Sequence, residues 1–267
     1  MAGNKYYFIS DAHLGLHPVG KSIQREKLLV SWLDSIKGDV RELFLVGDIF
    51  DFWHEYKRVV PRGFVRFLGK LAEISDMGAT IHFFTGNHDI WAYDYFTSEI
   101  GMQIHRKYIV REINGLRLFI GHGDGLGSGD TGYKVLKFIF TSKILQWLFA
   151  RIHPNLALWF GQKWSKSSRF AKGYVAEPYR GDDKELQVVF ARNTLKSEHF
   201  DYFIFGHRHV PYEIQIDEKS SIINLGDWIN NFSYAVLDGS SLELKSIYPD
   251  IEKKILKRSI TNPTSSS

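Results

Sequence analysis

Three short apolar runs, at residues 5–10, 42–46 and 80–85, alternate with two stretches of helical periodicity, and no other feature restricts the possible folds as much. Residues 23–36 bring Leu28, Leu29, Trp32, Leu33 and Ile36 onto one helical face with charged residues between them. Residues 64–74 form a second amphipathic stretch. Strand, helix, strand, helix, strand in that order predicts a parallel sheet covered by helices. At 267 residues there is room for one large domain or two small ones.

The second half reads differently. Residues 108–113 and 116–121 flank Asn114-Gly115, a strong signal for a two-residue hairpin. Further strands are expected at 202–205, 212–216, 221–225, 232–237 and 242–247, several with alternating polarity. A second, more mixed sheet packed face to face on the first gives an α/β fold, a four-layer α/β/β/α sandwich. Between the halves, at about 133–192, the pattern is a helical insertion. Its first part is apolar around most of its circumference. Lys137, Lys143, Arg151 and Pro154 interrupt it before the roughly 18–20 apolar residues that a membrane span requires. It is therefore expected to pack on itself or to form a surface that meets lipid. The expected organisation is one domain over 1–254 carrying this insertion, then a disordered tail over 255–267.

Polar residues cluster at the strand ends. In order they are Asp11-Ala-His13, Gly47-Asp48-Ile-Phe-Asp51, Gly86-Asn87-His88-Asp89, Gly121-His122-Gly-Asp124 and Gly206-His207-Arg-His209. Any one of them is compatible with a hydrogen-bonded turn. Five in succession, each after an apolar run, supply ligands for two divalent metals, and metals roughly 3.5–4 Å apart are a known means of cleaving phosphate esters. The first three follow strands of the parallel sheet, at the end where an open α/β sheet presents its site. Carboxylate and imidazole donors suit manganese, iron or zinc better than calcium. The chain has no cysteine, which excludes a disulfide scaffold and a thiolate zinc site and fits a reducing cytoplasm. Its first residues have no basic region followed by a long apolar run, so no secretory signal is expected. A formal charge of +4 and a pI near 9.0 favour anionic partners or simply serve solubility.

The series D-x-H, G-D-x-x-D, G-N-H-D, G-H and G-H-x-H, spread over residues 7–237, resembles the calcineurin-like metallophosphoesterases. The resemblance implies the same four-layer sandwich. By motif it implies that Asp11, His13 and His209 hold a first metal, that Asn87, His122 and His207 hold a second, and that Asp48 bridges both. A water or hydroxide between the metals would be the nucleophile. His88 is then expected beside the phosphate as general acid or charge stabiliser, oriented by Asp51. Asp89 is expected to shape its turn. Two divalent ions are implied, manganese first, with iron or zinc served by the same donors. His17, His54, His82, His105, His153 and His199 lie outside the clusters and are expected to be surface or core residues, His82 as a hydrogen-bonded core histidine.

His122-Gly-Asp-Gly-Leu-Gly-Ser-Gly-Asp130-Thr-Gly-Tyr133 resembles the H-G-D-x-L-x-x-x-D-x-x-Y segment of the UDP-2,3-diacylglucosamine hydrolases of lipid A synthesis. That narrower resemblance implies a lipid-linked nucleotide substrate, attack of water on the α-phosphorus, and release of UMP and a lipid 1-phosphate. It also implies that the insertion is a lid whose apolar groove receives acyl chains, and that the protein works peripherally at the cytoplasmic membrane surface. Asn87, Asp130 and Tyr133 are expected to contact substrate, and Ser165, Arg169 and Lys172 to face it at helical spacing. No nucleic-acid partner is expected, because the basic run 163–172 has apolar neighbours that fit lipid better than a basic groove with interleaved aromatics. The oligomeric state stays open. Two positions depart from the narrower family: His88 stands where it usually has Arg, and Gly127-Ser128 where it has Cys-Thr. They keep open a different lipid diphosphate, a phosphomonoester or a nucleotide phosphodiester as substrate.

Overall fold

A computed structural model describes residues 3–16, 19–126, 138–170 and 178–260, and within them every side chain except those of residues 19, 20, 162 and 164–170. The chain runs through β1 (Lys5–Ile9), α1 (Val19–Ile36), β2 (Val40–Val46), α2 (Val65–Asp76) and β3 (Thr80–Phe84), then α3 (Tyr95–Ile100) and β4 (Gln103–His105). These four strands pair in parallel, as the alternation requires. The strands β5 (Ile109–Ile113) and β6 (Leu116–Ile120) turn at Asn114 and Gly115, both at positive φ, the geometry a two-residue hairpin turn favours.

Three helices follow, α4 (Lys143–Phe149), α5 (Pro154–Phe170) and α6 (Leu186–Leu195). The chain ends with β7 (Tyr202–Phe205), β8 (Tyr212–Gln215), β9 (Ser221–Asn224), β10 (Ser233–Asp238), β11 (Ser241–Ser246), the single-turn α7 (Pro249–Glu252) and β12 (Leu256–Ser259). One sheet has the order β11-β10-β1-β2-β3-β4 and the other β12-β8-β9-β7-β6-β5.

Strand side chains alternate between faces, and this separates the layers. Tyr7, Ile9, Leu43, Leu45, Ile81 and Phe83 point outward to meet Leu29, Trp32 and Leu33 of α1 and Phe67, Leu71 and Ile74 of α2. Tyr6, Phe8, Phe44 and Val46 point inward to Leu118, Ile120, Ile204 and Ile223 of the second sheet. Phe8 and Phe44 stack there with ring centroids 4.6 Å apart. The outer face of the second sheet, with Phe119, Phe203 and Phe205, is covered by Val188 and Ala191 of α6. The four layers expected from the sequence are therefore present. Each fully buried Leu or Phe contributes roughly 1.5–3 kcal/mol of transfer free energy, so the sandwich forms a stiff frame for the loops at its end.

Two boundaries differ from expectation. Residues 256–259, expected within a disordered tail, form β12, which pairs in parallel with β8, and Ile255 is buried. Residues 261–267 lie outside the described residues. The helix α6, most of which fell within the expected insertion, belongs to the sandwich. The remaining inserted residues, 138–170, rest on loops that follow β2 and β3. Trp91 Nε1 donates to the Phe140 carbonyl at 2.7 Å and Tyr56 Oη to the Ile152 carbonyl at 3.0 Å. Among the described residues, no helix is long and apolar enough to cross a membrane.

Candidate active site

Each polar cluster follows a strand and turns sharply. Asp11, His13, Asp48, His207 and His209 all have positive φ, between 42° and 69°. Non-glycine residues seldom occupy that region, and it costs of order 1–3 kcal/mol per residue where the surrounding fold enforces it. Five of the eight such residues among the described residues are thus expected metal ligands. The glycines beside them allow close approach: a Cβ on Gly86 would lie 2.6 Å from the Asp48 backbone nitrogen.

These turns collect the side chains into groups. Donor atoms of Asp11, His13 and His209 lie within 4.8 Å of one another, as do those of Asp48, His122 and His207. The groups meet at one oxygen, since Asp48 Oδ2 is 3.7 Å from His13 Nε2 and 3.4 Å from His122 Nε2. Asn87 stands next to His88, whose backbone N–H donates to Asp48 Oδ1 at 2.9 Å. A third group, also within 4.8 Å, joins His13, Asp51 and His88.

The donor set fits divalent cations. His122 Nδ1 donates to the Val46 carbonyl at 2.9 Å, which leaves Nε2 to face Asp48. His209 Nδ1 lies 3.2 Å from Asp227 Oδ2, while its Nε2 faces Asp11 Oδ1 at 3.2 Å and His13 Nε2 at 3.3 Å. Asp11 Oδ1, Asn87 Oδ1 and His122 Nε2 are buried and make no hydrogen bond among the described residues. Buried acceptors of this kind are costly unless a cation or donor meets them.

Protonation follows the same logic. Burial alone would push the Asp11 carboxyl up, yet His209 and His13 hold it well below the usual carboxylate range. Asp48 is also held low against burial, by His122 and His88. His209 is raised to about 10, because Asp11 and Asp227 outweigh the burial that opposes its charge. His122 is raised against burial by Asp48. His207 goes the other way, pushed down to about 4 by burial and by His122.

Residues 5–211 match the family profile described as calcineurin-like phosphoesterase. The chain belongs to that family. Metal-dependent hydrolysis comes with it. The UDP-2,3-diacylglucosamine hydrolase of Porphyromonas gingivalis is 38% identical over 256 residues, covering 91% of this chain and 98% of that one. The hydrolase of the same name from Neisseria meningitidis serogroup A is 28% identical over 235 residues, covering 85% and 91%. Among solved structures, the Escherichia coli phosphoesterase Yfce covers 91% of this chain and 92% of its own at 16% identity and a TM-score of 0.42.

In this calcineurin-like phosphoesterase His88 meets Asp51 through the main chain. His88 Nδ1 donates to the Asp51 backbone carbonyl at 2.8 Å, and the Asp51 carboxylate instead faces His13 Nδ1 at 3.7 Å. Asp51 therefore orients His88 through its main chain, for which the side-chain type gives no signal. Asp89 accepts the backbone N–H of Gly86 at 2.7 Å and of Ile49 at 2.8 Å, so it ties the second and third clusters together. Burial and the charge of Asp48 raise it to about 7.

Sequence reasoning passed over several supporting residues. Asp227 holds His209 and accepts three backbone N–H groups, those of Ile229, Asn230 and Asn231. Gly226-Asp227 follows β9 as a sixth strand-end cluster, which was a usable signal. Gln187 of α6 and Asn224 both donate to the Gly206 carbonyl, at 2.9 and 2.6 Å, and so fix the turn that carries His207 and His209. A buried Gln in the first turn of a helix carries no such signal. Among the expected substrate contacts, Asp130, Tyr133 and Lys172 lie outside the described residues. Ser165 and Arg169 sit on α5, with their side chains outside the described set.

Proposed function

We propose that this phosphoesterase hydrolyses the diphosphate of UDP-2,3-diacylglucosamine, giving UMP and 2,3-diacylglucosamine 1-phosphate. Similarity to the Porphyromonas gingivalis hydrolase of that name along almost its whole length carries the reading. The exposed apolar insertion supports it. Phe138, Ile144, Trp147, Leu148, Trp159 and Phe160 are all exposed there, as a protein that handles a diacyl substrate at a lipid surface requires.

In this reading Asp11, His13, Asp48 and His209 hold one divalent cation and Asp48, Asn87, His122 and His207 the other, with manganese the preferred ion. When bound, the two cations neutralise phosphate charge and acidify a nearby water. Water adds to the α-phosphorus, the bridging P–O bond to the lipid phosphate breaks, and the water's proton leaves to solvent or to a neighbouring base. His88 has Nδ1 engaged by the Asp51 carbonyl, so Nε2 is the atom that donates to the phosphate or carries its proton. The domain runs through β12, with the insertion as a lid. The protein works at the cytoplasmic membrane surface, where its substrate resides.

A second reading, a related lipid diphosphate or a simpler phosphoester as substrate, is favoured by His88 in place of the Arg expected of the narrower family. Hydrolysis of UDP-2,3-diacylglucosamine, bis-p-nitrophenyl phosphate and nucleotides, with chelator and with added manganese, separates the two. Metal-dependent release of UMP at the highest kcat/KM of the panel is expected. Turnover of the simple esters alone would overturn the lipid assignment.

A further inference from the structure

Many basic side chains of this protein are held by acids: Lys5 by Asp39, Lys70 by Asp34, Arg111 by Glu42 and Arg208 by Glu185. The segment 57–66 is different. Lys57, Arg58, Arg62 and Arg66 are exposed, and none of their side chains has an ion pair or hydrogen bond among the described residues. No acidic residue occurs between Glu55 and Glu73. Glu55 itself is buried, its carboxylate taken up by Trp53 Nε1 and by the backbone N–H groups of Tyr93 and Asp94. Two aliphatic side chains stand exposed among the cations, Val59 at 47% and Val65 at 75%.

The place of this segment in the fold gives it a direction. It leaves the end of β2 that carries Asp48 and enters α2, so it lies at the same end of the sandwich as the ligand-bearing turns. It also adjoins the apolar insertion: Tyr56 Oη donates to the Ile152 carbonyl at 3.0 Å, with Lys57 and Arg151 the next residues on either side. The insertion likewise has no Asp or Glu over residues 138–163. Two of its cations sit over indole rings, Arg151 at 4.6 Å from Trp147 and Lys163 at 4.9 Å from Trp159. Indoles with adjacent cations are the side chains that settle at a lipid headgroup boundary.

We propose that residues 57–66 form an electrostatic foot on an anionic lipid surface, beside the apolar foot made by the insertion. The proposal rests on the membrane-facing reading given above and adds its charged half. One weak anchor gives marginal, reversible membrane attachment, and two different ones together make it stable. Each Lys or Arg near an anionic leaflet contributes about 1 kcal/mol, a fivefold change in partition, and the effect fades within a Debye length. Two feet on one side also fix orientation, which would keep the metal-ligand end near the surface. The exposed partners of these cations are valines, whereas a single-stranded nucleic acid would call for stacking aromatics.

The test is sedimentation of the full chain with vesicles of phosphatidylcholine alone, and of phosphatidylcholine with phosphatidylglycerol at roughly three to one. Lys57→Ala/Arg58→Ala and Arg62→Ala/Arg66→Ala are compared with wild type. Each double variant should lose about 30-fold in partition onto the anionic vesicles at low salt. Binding to neutral vesicles, bis-p-nitrophenyl phosphate hydrolysis and melting temperature should not change. About 0.5 M NaCl should remove the difference between wild type and variants. Wild-type partition from both variants on anionic vesicles overturns the foot and leaves the insertion as anchor. Equal losses on both vesicle types overturn it as well, because charge acts only on the anionic surface. If wild type ignores both vesicles, the membrane reading falls and takes the foot with it. A loss confined to binding of homopolymer RNA would reassign the cations to nucleic acid. Loss of UDP-2,3-diacylglucosamine turnover with vesicle binding intact would count against the substrate reading and not against the foot.

Discussion

The ligand-bearing turns and the insertion stand at the same end of the sandwich but are built in opposite ways. The turns are buried and polar, and they are held by many side-chain-to-backbone bonds, such as those of Asp89, Asp227, Gln187 and Asn224. They keep five non-glycine residues at positive φ. The insertion touches the sandwich through a few aromatic contacts, and α4 has no buried residue. Its outward face is apolar, with Phe138 at 75% and Ile144 at 73% exposure. A reaction that needs fixed charges requires the first kind of construction. Recognition of a fluid, apolar substrate tolerates the second. On the proposed reading, chemistry is set by turns that cannot yield, and selectivity by a surface that can.

The sharpest way to break this contrast is at Asp48, whose Oδ2 faces both ligand groups. Asp48→Ala should remove bound metal from both groups and lower turnover of every ester by roughly 10³-fold or more, since metal ions supply several kcal/mol of transition-state stabilisation. Elemental analysis of the purified variant checks this. Full occupancy of either position would show that Asp48 does not bridge. His88→Ala should act on chemistry alone, lowering kcat by roughly 10²–10⁴-fold with metal content unchanged. Unaltered kcat would exclude His88 from proton transfer.

The same contrast explains what could be read from the sequence. The parallel strands, their covering helices and the Asn114-Gly115 turn were legible because burial on both faces, helical periodicity and positive φ each leave a mark on residue type. The convergence of Asp11, His13 and His209 and of Asp48, His122 and His207 was legible because five clusters of Asp, His and Asn follow apolar runs in succession. The strand β12 was not, because its Lys257, Arg258 and Ser259 are exposed and its order comes from backbone pairing with β8. The strand β4 is three residues long, too short to show alternation. Asp51 does meet His88, but through its backbone carbonyl, a contact on which side-chain type leaves no mark.

Polar substitution of the insertion should sharpen the comparison in the other direction. Replacing Phe138, Ile139, Trp147 and Leu148 with Ser should lower kcat/KM for a diacyl substrate by roughly tenfold or more, given about 25 cal/mol for each Å² of apolar surface no longer buried on binding. Hydrolysis of bis-p-nitrophenyl phosphate should hold at the wild-type rate. Equal losses on both substrates would mean that the insertion only supports the site.

His54 lies on the seam between the two regions and offers the mildest test. It is 1% exposed, enclosed by Tyr56, Trp91, Tyr93 and, from the insertion, Phe149, and neither ring nitrogen has a hydrogen-bond partner among the described residues. Burial lowers its pKa from 6.5 to about 4. As pH falls below 6.5, the unfolded chain therefore takes up this proton before the folded one. Stability from the neutral ring is present above pH 6.5 and is lost progressively toward pH 4. Between pH 7 and 5.5 this amounts to about 1 kcal/mol. His54→Phe keeps the aromatic contacts and removes the proton, so its denaturation midpoint should fall less than that of wild type over this interval. If the two profiles run parallel, the seam does not sense pH through His54. If they diverge, near-ultraviolet circular dichroism should show aromatic packing at Trp91 loosening first in wild type, because the charged ring would sit against Phe149 and push the insertion off its footing.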